Sequence, residues 1–282
     1  MRYTFADGHT GALFRLHIGE SKLGRDVFKE RDEAPLTIVW NRANEEQRFS
    51  VDGMPTALEP DELIAFTTNQ TFAFNPADDL IAWQFNREFY CIIDHDREVS
   101  CYGLLFYGTH GAARVQLNDL EVKRFNLLLA VFEDEFHEAD NLQGEMLRML
   151  LKRLIVKLTR IFKLQHVSED LNPEEVDLIR EYGLLVETHY RTKHRVQDYA
   201  ALLHRSPKTL ANVFGKHGDH TPLQIIHARI ALEAKRRLLY TQDSAAEIGY
   251  TLGFDQPAHF SRFFKRVVGQ SPLGYRTKAE VE

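Results

Sequence analysis

The segment Glu247–Arg276, EIGYTLGFDQPAHFSRFFKRVVGQSPLGYR, sets phenylalanines at helical spacing among arginine and lysine, inside a chain whose formal charge is −6. A short apolar helix, a glycine, and then a proline opening a second helix form the outline of a helix-turn-helix, whose second helix enters the DNA major groove. The same outline occurs once before. Tyr199, Ala200, Leu203, Leu210, Phe214 and Pro222 return as Ile248, Gly249, Leu252, Phe260, Phe264 and Pro272. The offset is 49 residues up to the turn and 50 beyond it, so the second turn is one residue longer. Self-similarity of this kind marks a duplicated supersecondary unit.

The local chemistry agrees. Ser206 before Pro207 suits an N-cap, Ser244 with Glu247 makes a capping box, and Gly253 supplies a left-handed residue to end a helix. Between the copies, Thr221 and Pro222 open a helix to Tyr240 with Ile226, Ile230, Ala234 and Leu238 on one face. At about 1.5 Å per residue it spans roughly 28 Å. That length predicts two recognition helices about one DNA turn, roughly 34 Å, apart on one face of the duplex.

Charge is segregated along the chain. Lys193–Lys278 holds 14 Lys and Arg against 6 Asp and Glu, a net of +8, which leaves −14 on the remainder. A positive module joined to an acidic one predicts that one half meets a polyanion while the other does something else. No apolar run approaches the roughly 20 residues that cross a bilayer, and the start, MRYTFADGHT, lacks the apolar core and basic flank of a signal. Two cysteines are too few for a secreted disulfide scaffold. These features predict a cytoplasmic protein without a membrane partner.

Up to about Gly111 the runs LTIVW, LIAFTT, TFAFN, LIAWQF, FYCII and CYGLLFY read as strands, which implies a sandwich or small barrel over residues 1–115. From Asn118 the period becomes helical: Leu120, Phe125, Leu128, Phe132 and Phe136, then Leu147, Leu150, Leu154, Leu158 and Ile161. This predicts a helical hairpin over 116–165 with more apolar surface than one hairpin can bury; a dimerisation element giving a homodimer is preferred to a hairpin packed wholly on its own sandwich. Pro173 suits the first turn of a new helix reaching about Tyr190. The domain carrying the repeat is placed at 172–282.

The opening segment, together with ALLHRSPKTLANVF in the first copy, closely resembles the signature of the AraC/XylS (arabinose-regulator) family of bacterial transcription regulators. The resemblance covers roughly Pro173 to Lys278. It implies an α+β protein: an N-terminal cupin-like jelly-roll sensory domain with a dimerising helical pair, then an all-α domain of two helix-turn-helix subdomains joined by a linker helix. The function it implies is a sequence-specific DNA-binding regulator, an activator, that responds to a small-molecule effector or partner and contacts RNA polymerase.

Leu210, Phe214, Phe260 and Phe264 sit at i,i+4 spacing and read as core, so the positions between them face outward. Asn212 and Arg262 occupy equivalent places in the two recognition helices, where Asn pairs bidentately with adenine and Arg with guanine. Lys208, Gln256 and His259 join them as base readers near the helix starts. Ser206, Thr209, Lys216, Lys265 and Arg266 are assigned to phosphates, which set register and salt dependence rather than sequence. Ala211 departs from the polar residue the family often has there, and Pro257 and Ala258 thin out the second copy, which implies few direct base contacts.

In the front half, CIIDHDREVSC would bring Cys91 and Cys101 together if FYCII and VSCYG were hairpin arms turning near Asp96, with His95 beside them. A metal or redox site of Cys91, His95 and Cys101 stands against two buried thiols flanking a polar turn, and the second reading is preferred. His9, His17, His95 and His110 fall one per segment, unlike the clustered ligands of cupin enzymes. No phosphate loop, nucleophile elbow or paired catalytic carboxylates occur, so neither an enzyme nor a cofactor is expected. Trp40, Phe66, Phe72, Phe74, Trp83, Phe85 and Phe89 either line an apolar pocket or form plain core. Two competing functions remain: a cupin-type metalloenzyme with a DNA-binding tail, and a protein-interaction module whose binding would survive loss of Arg262 and ignore salt.

Overall fold

The computed structural model describes residues 1–20, 23–25, 35–51, 54–68, 70–74, 79–92, 103–106, 112–166, 172–217 and 220–279. The chain divides into two compact units, Met1–Val167 and Ser168–Glu282.

The first unit is built from two antiparallel sheets. Its strands are β1 (Arg2–Asp7), β2 (Ala12–Ile18), β3 (Leu23–Arg25), β4 (Leu36–Asn41), β5 (Gln47–Val51), β6 (Met54–Leu58), β7 (Glu62–Phe66), β8 (Phe72–Phe74), β9 (Leu80–Phe85) and β10 (Ala113–Gln116). The larger sheet runs β1-β2-β9-β4-β7-β10 and the smaller β3-β8-β5-β6. In β4, β7 and β9 every residue is buried, so these strands are covered on both faces. On one face Val39, Ile64, Phe66, Leu80 and Ala82 meet Phe49, Phe72 and Phe74 of the smaller sheet. Arg114 on β10 ties the two sheets together, donating to the Ala57 carbonyl at 2.7 Å and to Thr56 Oγ1 at 2.9 Å.

The other face of β4 and β9 is covered by a helical hairpin, α2 (Asp119–His137) and α3 (Gln143–His166). Trp40 meets Phe125, and Trp83 meets Phe132, each pair at 6.1 Å between ring centroids. Asn118 and Glu121 form a reciprocal capping box that starts α2. Gly144 at the start of α3 touches the Phe5 ring, where a Cβ would come within 2.7 Å of Cζ. Gln165 and Gln116 exchange hydrogen bonds of 3.1 and 2.6 Å that pin the end of α3 to β10. The aromatic residues named as either pocket or core are core: Trp40, Phe66, Phe72, Phe74, Trp83, Phe85 and Phe89 are all buried.

Two of the predicted strands are not strands. After β9 the chain turns at Asn86, whose side chain accepts from the Leu13 and Phe89 amides and donates to the Gly11 carbonyl, so Phe89–Cys91 leave the sheet. Within CYGLLFY, Gly103–Phe106 form a single helical turn, α1, with Leu105 and Phe106 buried. A short apolar run does not itself distinguish strand from buried helix. Cys91 is half-buried and outside any strand, so neither the strand arm that was to align it with Cys101 nor its preferred reading as a buried strand thiol holds. His95 and Cys101 lie outside the described residues. Among the described residues no three His, Cys, Asp or Glu side chains cluster as a metal site. Nor is any described helix long and apolar enough to cross a membrane.

The second unit is all helical: α4 (Pro173–His189), α5 (Val196–Leu202), α6 (Pro207–His217), α7 (Pro222–Tyr240), α8 (Ala245–Thr251), α9 (Pro257–Val268) and α10 (Pro272–Ala279). Capping boxes at Asn172, Thr221 and Ser244 open α4, α7 and α8. Ile226, Ile230, Ala234 and Leu238 form the buried stripe of α7. The Tyr182 hydroxyl donates to the Pro222 carbonyl at 2.8 Å, joining α4 to the start of α7.

Candidate nucleic-acid interface

The duplicated unit is built twice with the same backbone turn. In the first copy, α5 ends at Leu203, His204 takes a left-handed φ of 52°, and the Arg205 amide donates back to the Ala200 carbonyl at 2.9 Å. In the second, α8 ends at Leu252, Gly253 takes φ 80°, and the Phe254 amide donates to the Gly249 carbonyl at 3.0 Å. This is the Schellman closure, in which the amide of the second residue after the cap satisfies an orphan carbonyl of the last turn. Glycine is required in the second copy, because a Cβ on Gly253 would run into the Arg191 carbonyl. His204 carries the same conformation with a side chain, at the usual cost of left-handed backbone.

The helices of each copy are held together by core side chains. Tyr199, Ala200, Leu210 and Phe214 are buried in the first copy, and Ile248, Gly249, Leu252, Phe260 and Phe264 in the second. A Cβ on Gly249 would sit 2.9 Å from the Phe260 Cβ, so α8 and α9 approach more closely than a methyl group permits. The extra residue of the second turn precedes Pro257. Ser206 caps α6, its Oγ accepting from the Thr209 amide at 3.0 Å, whereas the side chain of Gln256 makes no such bond at the start of α9.

The predicted readers are all on the outside of these helices. Lys208 and Asn212 are exposed on α6 at i,i+4 spacing; Gln256, His259 and Arg262 are exposed along α9. Arg262 donates Nε to the Ala258 carbonyl at 3.2 Å, which holds the stem along the helix. The phosphate group of residues divides. Lys265 and Arg266 are exposed in the last turn of α9, where positive charge complements the helix dipole. Ser206 and Thr209 are tied to one another, their hydroxyls 2.8 Å apart. Lys216 forms a 2.6 Å ion pair with Glu175, so this lysine braces α6 against α4.

The sequence-level charge count overstates the basic surface. Of the eight arginines in Lys193–Lys278, four are used inside the unit. Glu233, fully buried, is contacted by Arg229, Arg236 and Arg237 from its own helix and by Arg191. Despite burial, hydrogen bonding to Arg236 and the surrounding guanidiniums hold the Glu233 carboxyl down to about 2. Arg229 also grips Glu187 through two bonds of 2.5 and 2.9 Å and lies 3.8 Å over the Tyr190 ring. Arg276 donates to the Leu238, Thr241 and Asp243 carbonyls, closing the end of α7. Arg205 is a residue that sequence reasoning passed over: it is exposed in the first turn, at the place that Phe254 takes in the second. The offset of 49 was the signal that could have found it.

A family model for a helix-turn-helix domain matches residues 199–278. The transcriptional activator NphR of a Rhodococcus species is 35% identical over 110 residues, covering 39% of this chain and 32% of that protein. The arabinose operon regulatory protein of Escherichia coli K12 is 26% identical over 132 residues, covering 46% and 44%. Among solved structures, ToxT from Vibrio cholerae O395 aligns over 94% of this chain and 97% of its own, at 15% identity and a TM-score of 0.38. The chain thus spans between a third and a half of the length of these curated relatives. Within the second unit, residues 199–278 are a helix-turn-helix domain, and the same part of the chain is similar to regulators such as NphR and the arabinose operon regulatory protein.

Proposed function

We propose that the chain is a sequence-specific DNA-binding regulator of transcription whose second unit reads two successive major-groove segments. The observation that carries this is the turn built twice, each copy presenting a proline-started helix with exposed polar side chains between buried aromatic or aliphatic ones. Asn212 in α6 and Arg262 in α9 are the principal base readers, with Lys208, Gln256 and His259 beside them. Lys265 and Arg266 hold phosphates, and the hydroxyls of Ser206 and Thr209 stand with them as phosphate contacts at the start of α6. The roughly 28 Å of α7 sets the two readers about one DNA turn apart.

The first unit is proposed as a cupin-type jelly roll that senses an effector or partner, and the hairpin as the dimer contact. Support for the latter comes from Leu127 and Val131 on α2 and Met146 and Met149 on α3, which are exposed although their helices bury the opposite face. Activation and contact with RNA polymerase rest on the resemblance to AraC/XylS regulators. The test is selection of genomic fragments by the purified protein, followed by titration of the best fragment at two salt concentrations. A motif with half-sites about one turn apart, weakened by Arg262→Ala and by salt, is the expected result. Binding that survives both changes would transfer the repeat to protein recognition.

A further inference from the structure

The second copy differs from the first on the side of α9 that faces α7. There a cleft of about 440 Å³ is lined by Ile230, Phe254 and Phe263 at its floor and by His227, Arg262 and Arg266 at its rim. Its volume falls in the range of small-molecule sites, roughly 300–1,000 Å³. Phe254 builds the floor, with its ring 5.2 Å from Phe263, and it stands where the first copy has the exposed Arg205. His227 meets Phe263 edge-on at 5.3 Å.

The rim differs as well. Lys216, the counterpart of Arg266, is committed to Glu175, whereas Arg266 has no acceptor among the described residues. Arg262 spends only Nε on the Ala258 carbonyl. No carboxylate lines the cleft. Glu233, one turn beyond Ile230 and on from Arg229, is fully engaged by its own arginines. Burial, reinforced by Arg266 and His194, holds His227 below the ordinary histidine range, so at pH 7 it is a neutral hydrogen-bonding group. The cleft therefore pairs two unneutralised guanidiniums with an apolar floor whose two phenylalanine rings are tilted 42° to one another.

We propose that this cleft binds a small organic anion with an apolar body, an aromatic carboxylate, whose ring packs against Phe254, Phe263 and Ile230 and whose carboxylate is held by Arg262 and Arg266. Because Arg262 is also a base reader, occupancy competes with DNA at α9. This second half rests on the DNA-reading function proposed above; the first does not. An anion without a body, such as a backbone phosphate or acetate, engages the rim alone and leaves the floor uncovered.

Calorimetric titration of the full chain with 2-naphthoate, 2-naphthamide and acetate tests the site. One-to-one saturation by naphthoate is expected, at least tenfold tighter than by the neutral amide or by acetate. Arg266→Ala should weaken it at least tenfold, and His227→Trp, which fills the cleft from its rim, should abolish it with the melting temperature unchanged. Acetate binding as well as naphthoate, no saturation, or binding indifferent to both substitutions would overturn the site. In a parallel titration of a selected DNA fragment, naphthoate at ten times its Kd should raise the apparent DNA Kd about elevenfold by mass action. Unchanged DNA affinity at saturation would overturn the competition. If no fragment is bound even without naphthoate, it is the DNA reading that has failed, and calorimetry still decides the cleft.

Discussion

Replacing Glu233 with glutamine keeps the shape of the side chain and removes the charge at the centre of the arginine cluster. The carboxylate has no solvent exposure, and Arg236 and Arg237 approach it at 3.0 and 3.2 Å, with Arg229 and Arg191 at 3.7 Å. Its folded-state pKa of about 2 lies below the unfolded 4.5, so the shift contributes stability that is present above pH 4.5 and lost as pH falls from there toward 2. At 1.36 kcal/mol per pH unit this amounts to about 3 kcal/mol, within the range for breaking a buried pair by removing one partner. Glu233→Gln should therefore destabilise the second unit by about 3 kcal/mol at pH 7, and the difference from wild type should fade on acidification. Both tryptophans, Trp40 and Trp83, lie in the first unit. In urea, far-UV circular dichroism should report an earlier helical transition while the tryptophan transition stays in place. A loss under about 1 kcal/mol at pH 7, or one that persists undiminished near pH 2, would refute the reasoning.

The turn and the interface yield further expectations. Gly249→Ala, which forces a methyl against Phe260, should cost about 1–3 kcal/mol by overpacking, read from the midpoint of the same helical transition. Arg262→Ala should lower affinity for the selected site by about 1–3 kcal/mol and relax preference at one base position, measured by fluorescence anisotropy on a set of single-base variants. Lys265→Ala should instead weaken binding to all sequences alike and reduce the salt slope by about one. If the hairpin is the dimer contact proposed above, Leu127→Asp with Met149→Asp should yield a monomer where the unaltered chain sediments as a dimer in analytical ultracentrifugation, while leaving the tryptophan transition intact, since both side chains are more than half exposed.

How far the sequence disclosed the structure depends on how each element is stabilised. Strands β4, β7 and β9 are buried on both faces and read as continuous apolar runs. Strand β1 and the FRLHI part of β2 alternate polar and apolar residues, a period of two that contains no apolar run to mark a strand. The stretch after β9 failed for a different reason. Its end is decided by Asn86, whose hydrogen bonds reach back to Gly11 and Leu13, more than 70 residues away in sequence. In the repeat, Gly253 and the Ser244–Glu247 capping box carry local signals and are legible in the sequence. His204 is not, since only the alignment of the copies marks a histidine as left-handed.

The charge count carries the same lesson into function. A net of +8 over Lys193–Lys278 points to a polyanion, yet it cannot separate arginines that face solvent from those that build the domain. Arg229, Arg236 and Arg237 surround a buried carboxylate on their own helix, at i−4, i+3 and i+4, and Arg276 satisfies three carbonyls. The helical spacing of the first three around Glu233 was present in the sequence and is what assigns them inward. What remains exposed is smaller: the arginines Arg195, Arg205, Arg262 and Arg266, with Lys208 and Asn212 on the first copy and His259 and Lys265 on the second. Affinity should then depend on salt as a handful of phosphate contacts would dictate, with a slope near −0.9 per contact, rather than on the full charge of the segment. Under the proposed function, the internal arginines fix the geometry in which two short helices can read one DNA face, and the few that are left are the ones available for contacts.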